Sequence, residues 1–370
     1  MVMKLRIIRR DLPLKHVMTV FRGTITRIRT VIVELEQDGL VGYGEAYEDL
    51  HWEASIEDMV KILETYREKI GDYALADPQA FNCYLHKILS NSGIPYSAVT
   101  MAATTAIEMA ACDLWGKLRN VQLWQVWGYR NFVDLPTSSY TLGLDSLYRM
   151  LDKFNEQPDW PLYRVKLGSR DDIEILKELR KHTNAPFRLD VNGCWTLQQA
   201  KSYLADLEQL NIELIEQPLH WEDVEGMREL KKLCKIPLIA DESCRSESDL
   251  EACAELFDGV NLKPIKFGGL NATRRAIEKA TSLDLKIMRG HTVESEIAAS
   301  AISQFAPKIN YIYIDGPLQV SPLPDESQTS GKTSGTGLDK GSYVSLDKGK
   351  IKMSLENGTG FSLPVRKAGG

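Results

Sequence analysis

Apolar and polar positions alternate with a period of two through the first fifty residues, as in Thr30-Val31-Ile32-Val33-Glu34-Leu35. That period sends successive side chains to opposite faces of a strand. Gln37-Asp38-Gly39 breaks the run before Val41-Gly42-Tyr43-Gly44-Glu45, and the Asp-Gly pair predicts a tight hairpin turn. Phe21-Arg22-Gly23-Thr24 predicts an earlier turn or loop. Between residues 53 and 128 the period lengthens. Met101 to Leu118 is rich in alanine and methionine, has helical spacing and closes on basic residues, as a helix C-terminus prefers. Strands followed by helices predict an α+β domain over residues 1–130.

From about residue 134 the pattern becomes regular. Eight short runs, rich in β-branched and other apolar residues, are each followed by a polar, helix-forming stretch. They are Ser138 to Leu142, Tyr163 to Leu167, Phe187 to Val191, Ile212 to Glu216, Ile236 to Ala240, Gly259 to Lys263, Leu285 to Arg289 and Tyr311 to Asp315. The polar residues that close the second to sixth runs stand at 166, 190, 216, 241 and 263, so the unit repeats every 22 to 26 residues. That is the length of one strand, one helix and two short loops. Eight such units joined by right-handed crossovers predict an α/β fold, a (β/α)8-type barrel over residues 131–320. The remainder, 321–370, begins with a Ser-, Thr- and Gly-rich loop at 325–342. Two strand-like runs follow at 343–346 and 350–353, expected to pack back on the first domain.

Composition narrows the class. The chain has 370 residues, too many for one hydrophobic core, and a formal charge of −6, so it lacks the basic excess that a nucleic-acid partner requires. No apolar run reaches the length of a membrane span, and the start enters charged, strand-like sequence without an apolar signal core. The six cysteines are scattered without a Cys-x-x-Cys pair, which excludes a zinc cage and argues against a disulfide framework. A cytoplasmic protein is expected.

Catalytic groups of such a barrel stand at the C-terminal ends of its strands. Here those ends carry Lys166, Asp190, Glu216, Asp241 and Lys263 on five consecutive strands. Three carboxylates in one small region repel one another, and burial raises the cost. A hard divalent cation is the simplest remedy, and all-oxygen ligation by Asp190, Glu216 and Asp241 favours Mg²⁺, with Mn²⁺ as a substitute. Lys166 and Lys263 lie on strands two and six of eight, nearly opposite each other. Arg164 shares the face of Lys166, and Lys266 adds positive potential. Nearby cations are expected to lower the lysine pKa values, so that each serves as an acid or base. The alternative is that the lysines only pair with the carboxylates. Mg²⁺ on a substrate carboxylate would stabilise the enediolate left by loss of the α-proton. A base on each face would let the proton leave one side and return on the other.

These residues resemble the enolase superfamily in its muconate lactonizing-enzyme branch. The resemblance rests on Arg164-Val165-Lys166, Asp190-Val191-Asn192, Ile215-Glu216-Gln217-Pro218, Ala240-Asp241-Glu242-Ser243 and Asn261-Leu262-Lys263-Pro264-Ile265-Lys266. It implies a modified (β/α)7β barrel under an α+β capping domain, one Mg²⁺ per subunit on Asp190, Glu216 and Asp241, and Lys166 and Lys263 as the two acid/bases. It also implies that the loops near 16–26 and 46–52 close over substrate, and that the chain is a homo-oligomer. Within the branch the chain is most similar to dipeptide epimerases, through Val293-Glu294-Ser295 and Asp315-Gly316-Pro317-Leu318. Those enzymes carry Asp-x-Asp where this chain has Tyr313-Ile314-Asp315, and a Lys where it has Arg164.

The resulting expectation is an isomerase, a Mg-dependent epimerase or racemase of a small carboxylate such as a dipeptide or N-acyl amino acid. The alternative on the same site is a lyase, an acid-sugar dehydratase or cycloisomerase. A non-catalytic metal-binding scaffold has no need of two opposed bases. Arg164, Asn192, Lys266 and Asp315 are expected at the substrate. Arg22 is either a ligand of a distal carboxylate or an exposed loop charge. Thr141 is a substrate contact or a helix cap, and His291 an acid/base, a substrate contact or a structural hydrogen-bond former.

Overall fold

The structure, a computed structural model, describes residues 3–20, 23–49, 52–90, 97–130, 134–290, 293–321 and 342–363. β1 (Lys4–Val20) and β2 (Gly23–Gln37) form a long antiparallel hairpin, and β2 also pairs with β3 (Leu40–Tyr47). Asp38 and Gly39 take φ 54° and 77°, the left-handed pair that a two-residue hairpin turn needs. The helices α1 (Ile56–Thr65), α2 (Arg67–Gly71), α3 (Pro78–Ser90), α4 (Ala98–Arg119) and α5 (Leu123–Val126) follow.

α4 lies directly on β3. A Cβ at Gly42 would stand 2.2 Å from the Ala110 carbonyl oxygen, and one at Gly44 2.0 Å from that of Ala106. The two glycines and the alanine-rich helix face therefore let backbone meet backbone. Asn120, at φ 55°, ends the helix in the left-handed conformation.

The barrel strands are β4 (Tyr140–Leu142), β5 (Tyr163–Lys166), β6 (Phe187–Asp190), β7 (Ile212–Glu216), β8 (Leu238–Ala240), β9 (Gly259–Asn261), β10 (Lys286–Arg289) and β11 (Tyr311–Ile312). Each falls within one of the eight predicted runs. They pair in parallel in chain order, and a parallel bridge between Ser138 and Ile312 joins the two ends of the sheet. The intervening helices are α6 (Leu147–Glu156), α7 (Asp172–Arg180), α8 (Leu197–Leu207), α9 (Val224–Leu233), α10 (Leu250–Leu256), α11 (Pro264–Phe267), α12 (Leu270–Ser282) and α13 (Glu296–Ser303). Only the four-residue α14 (Gly316–Gln319) follows β11, so seven strand–helix units precede a last strand. Leu214, Ile239, Met288 and Tyr313 form a small apolar cluster of their own, separate from the main core. Beside Tyr311 of that group, Arg188 binds Glu213 at 2.5 Å and the Ile312 carbonyl at 2.9 Å.

β12 (Ser345–Asp347) and β13 (Lys350–Lys352) make a short hairpin. The chain then returns to the first helices, where Gly358 exchanges backbone hydrogen bonds with Val121 and Leu123. The Phe361 ring meets Tyr43 edge-on at 5.2 Å. The predicted loop at 325–342 lies almost wholly outside the described residues. No helix among the described residues is long and apolar enough to cross a membrane.

Buried carboxylates fasten these parts together. Glu45 on β3 accepts from Ser295 N at 3.1 Å and Ser295 Oγ at 2.6 Å, at the start of α13. Glu108 on α4 accepts from Leu270 N at 2.5 Å, Asn271 N at 3.0 Å and Asn271 Nδ2 at 2.6 Å, at the start of α12. Asp113 accepts from Thr359 N at 2.8 Å and Thr359 Oγ1 at 2.9 Å in the returning segment. Glu45 and Glu108 each answer the unpaired N–H groups and partial positive charge of a helix N-terminus. Gly269, at φ 132°, has no room for a side chain, because a Cβ would stand 2.3 Å from Glu108 Oε2.

Glu108→Ala leaves three buried N–H donors without an acceptor. It is expected to destabilise the protein by about 3 kcal/mol or more, read by chemical denaturation. An unchanged midpoint would show that this contact does not hold the two parts together.

Candidate active site

Lys166, Asp190 and Glu216 are the last residues of β5, β6 and β7, and their Cα atoms are direct register partners across the sheet. Asp241 follows β8 by one residue and Lys263 follows β9 by two. Parallel strands in near register thus bring five charged side chains to one end of the ring. The three carboxylates are buried, at 0%, 0% and 2% exposure.

Each carboxylate is held by a cation. Arg164 reaches Glu216 Oε2 from Nε at 3.0 Å and from an Nη at 2.8 Å, and the same Nη bonds Asp190. Lys166 Nζ donates to Asp190 Oδ2 at 2.8 Å and to Asn192 Oδ1 at 2.9 Å. Lys263 Nζ donates to Asp241 Oδ2 at 2.6 Å. Lys266 Nζ lies 2.5 Å from both Asp241 Oδ1 and the Asp241 carbonyl, with the Cys244 and Asn261 carbonyls at 3.1 and 3.2 Å. Asn261 Nδ2 bridges Glu216 Oε1 at 2.6 Å and the Tyr313 hydroxyl at 3.0 Å. The Tyr313 ring lies 4.1 Å from the Arg164 guanidinium.

Burial and charge compete in every one of these groups. Burial pushes Asp190 and Asp241 up, but the neighbouring cations overcome it and hold both below the usual carboxylate range. Glu216 stays above its ordinary value, because burial and the charges of Asp190 and Asp241 outweigh Arg164 and Lys263. Burial alone would lower Lys263. The Asp241 carboxylate, and then Tyr313, raise it well above the ordinary lysine value instead. In this arrangement the charge nearest Lys263 is a carboxylate rather than another cation. Glu242 is pushed up to about 7 by burial and then by Asp241 and Asp190.

The other predicted residues divide into four groups. Asn192 is at the site: it accepts from Lys166, donates to Glu242 Oε1 at 3.0 Å and takes φ 48°. Thr141 and Asp315 meet across the seam between β4 and β11. Asp315 accepts from Thr141 N at 2.7 Å, Thr141 Oγ1 at 3.2 Å and Gln319 Nε2 at 2.8 Å. Arg164 and Lys266 also line the cavity, but their donors are engaged by protein oxygens. Arg22 and His291 lie outside the described residues. Lys153, Glu242, Asn261 and Arg245 were not singled out. Asn261 was within reach of the period-two rule, because it stands two residues before Lys263 and so shares its face.

Lys166, Asp190, Asn192, Asp241 and Lys263 line a cavity of about 1100 Å³ between the barrel mouth and the first domain. Trp52 and Arg29 line it from the domain side, and Arg245 and Arg275 from the barrel.

The donor set fits a hard divalent cation in chemistry. It offers three buried carboxylates from adjacent strands and no thiolate. Glu242 Oε2 is a further buried carboxyl oxygen beside them, and among the described residues it has no hydrogen-bond partner. As placed, the three carboxylates face amines and a guanidinium. Among the described residues no three Asp, Glu, His or Cys side chains gather about one point. Holding a cation there requires the lysine amines to leave Asp190 and Asp241.

Comparison with known proteins follows the same division of the chain. Residues 3–128 match the mandelate racemase / muconate lactonizing enzyme N-terminal domain, and residues 153–359 match the enolase C-terminal domain-like family. An L-Ala-D/L-amino acid epimerase of Flavobacterium johnsoniae is 36% identical over 98% of this chain and 100% of its own. One from Maribacter sp. is 39% identical over 82% of this chain and 87% of its own. The fold is that of a dipeptide epimerase from Cytophaga hutchinsonii solved with Mg and D-Ala-L-Val. The two superpose with a TM-score of 0.85 at 21% identity, over 98% of this chain and 96% of that one.

Behind Asp315, Lys153 on α6 is 5% exposed, with its amine 5.8 Å from the Tyr140 ring centre. Burial pulls that amine down to about 8, against the pull of Asp315 and Glu156. Between pH 8 and 10 the unfolded lysine keeps its proton while the folded one loses it, so this residue makes stability rise with pH. Lys153→Met is expected to remove that part of the rise in denaturation curves. Parallel wild-type and variant profiles would show that the amine stays charged.

Proposed function

Because the chain belongs to the mandelate racemase / muconate lactonizing enzyme family, we propose that it is an isomerase that inverts the carbon α to a carboxylate in amino-acid derivatives. Dipeptides are the favoured substrates, followed by N-acyl amino acids. The observation that carries this reading is the placement of the two lysines. Lys166 ends β5 and Lys263 follows β9, four strands apart in a ring of eight, with the strands bearing Asp190, Glu216 and Asp241 between them. The relatives named as epimerases support it.

Asp190, Glu216 and Asp241 would hold one Mg²⁺, which supplies positive charge to the substrate carboxylate as the α-proton leaves. Lys166 serves one face of the α-carbon and Lys263 the other. Each direction needs one amine neutral to accept the proton and the other charged to return one. Asn192 orients the Lys166 amine through its 2.9 Å contact. Arg164 remains a cation in every step and offsets Asp190 and Glu216, and Lys266 donates to Asp241. Thr141 and Asp315 stand on the rim where the amino end of the substrate would lie. Among the described residues, those in 1–130 cap the site, those in 131–320 form the catalytic barrel, and those in 321–370 return to the cap.

The test is incubation with a dipeptide panel in D₂O with Mg²⁺, following α-hydrogen exchange by proton NMR. Exchange and epimerisation are expected, with loss on EDTA treatment and recovery on adding Mg²⁺. Lys166→Ala and Lys263→Ala should each reduce exchange from one stereoisomer by about 10²- to 10⁴-fold and spare exchange from the other. Absence of exchange from every substrate would remove the reading. Formation of an α-keto acid with loss of water would instead identify a lyase on the same site.

A further inference from the structure

Nearly every cation lining the cavity is already neutralised. The four at the barrel mouth hold the three carboxylates. Arg27 lies 3.2 Å from Asp11, Arg29 lies 2.9 Å from Glu48 and 2.5 Å from Glu57, and Arg275 lies 3.9 Å from Glu247. Arg245 differs. Among the described residues its guanidinium has no carboxylate partner and no hydrogen bond, and it lies over two indoles, 5.0 Å from Trp52 and 5.2 Å from Trp221.

These three side chains come from separate parts of the chain. Trp52 stands in the turn closed by the Asp49–Ala54 bridge of the first domain. Trp221 is five residues beyond Glu216, and Arg245 four beyond Asp241, in the loops after β7 and β8. The indole rings are 5.7 Å apart, and the His220 ring packs 3.9 Å from Trp221. A guanidinium held over aromatic rings with no protein acceptor keeps its N–H donors for a planar acceptor. The loops that carry the shelf start at two of the carboxylate positions, so a ligand at the reaction centre reaches it through the same cavity.

We infer that Arg245 is a specificity-determining residue that binds a second carboxylate of the substrate, apart from the one at the reaction centre. The inference deepens the proposed function and rests on it for the position of the first carboxylate. Two substrate types carry that chemistry: a dipeptide whose inverted residue has an acidic side chain, and an amino acid acylated by a dicarboxylic acid.

Calorimetric titration of the Mg²⁺-loaded protein separates them without requiring turnover. The paired ligands are L-Ala-L-Glu against L-Ala-L-Gln, and N-succinyl-L-alanine against N-acetyl-L-alanine. The acidic member of one pair is expected to bind up to about fivefold tighter. Arg245→Met should bring that ratio close to one, and Arg245→Lys should restore part of it. The pair that responds identifies the source of the carboxylate. Equal binding within both pairs in the wild type, a ratio unchanged in Arg245→Met, or a ratio abolished by Arg22→Met instead would each overturn the inference. A charge-dependent ratio without α-hydrogen exchange leaves the inference standing and removes the isomerase reading.

Discussion

Charge balance at the barrel mouth is the constraint on which the site depends. Asp190, Glu216 and Asp241 stand on adjacent strand ends with almost no exposure, where an uncompensated carboxylate costs several kcal/mol. Arg164, Lys166, Lys263 and Lys266 compensate them, each through contacts the strand register dictates. The lysines occupy the edges of this cluster and Arg164 its interior. The groups that would handle protons are therefore the ones able to swing free, while the guanidinium, gripped by two carboxylates and stacked on Tyr313, stays in place.

The same logic works at larger scale in the seating of the first domain. Glu45 and Glu108 each carry a buried carboxyl group to the N-terminus of a barrel helix, where backbone N–H groups replace the water lost. Such contacts are directional, so they set the orientation of the domain as well as its attachment. Trp52 depends on that orientation, because it meets Trp221 and Arg245 only while the domain sits on this edge of the barrel. Docking, cavity shape and the presentation of Arg245 are consequences of one interface.

Two substitutions stand together in the interior. Tyr313 is found where the resembled dipeptide epimerases carry an acid, and Arg164 where they carry a lysine. The Tyr313 ring lies against the guanidinium, its hydroxyl accepts from Asn261, and a Cβ at Gly290 would stand 1.7 Å from the ring. Of the resembled pair of acids this chain keeps Asp315, which is engaged by Thr141 and Gln319 and interacts with the Lys153 amine.

Short β-branched and apolar runs, each followed by a polar helix-forming stretch, were enough to place the eight barrel strands, and the 22- to 26-residue repeat was enough to order them. Each signal is local, and a parallel barrel leaves little choice in how such units close. The five strand-end charges were legible for the same reason: register carries them to one place whatever the loops do. Pairing was not legible. That Lys263 is raised by Asp241, that Arg164 bridges two acids, and that Glu108 caps α12 across 162 positions of sequence all depend on which side chains meet. Arg245 shows the limit most plainly. In the sequence it is an ordinary loop arginine, and only folding brings two distant indoles beneath it while, among the described residues, no carboxylate arrives. Periodicity is encoded between neighbours along the chain, whereas charge compensation is decided between neighbours in space.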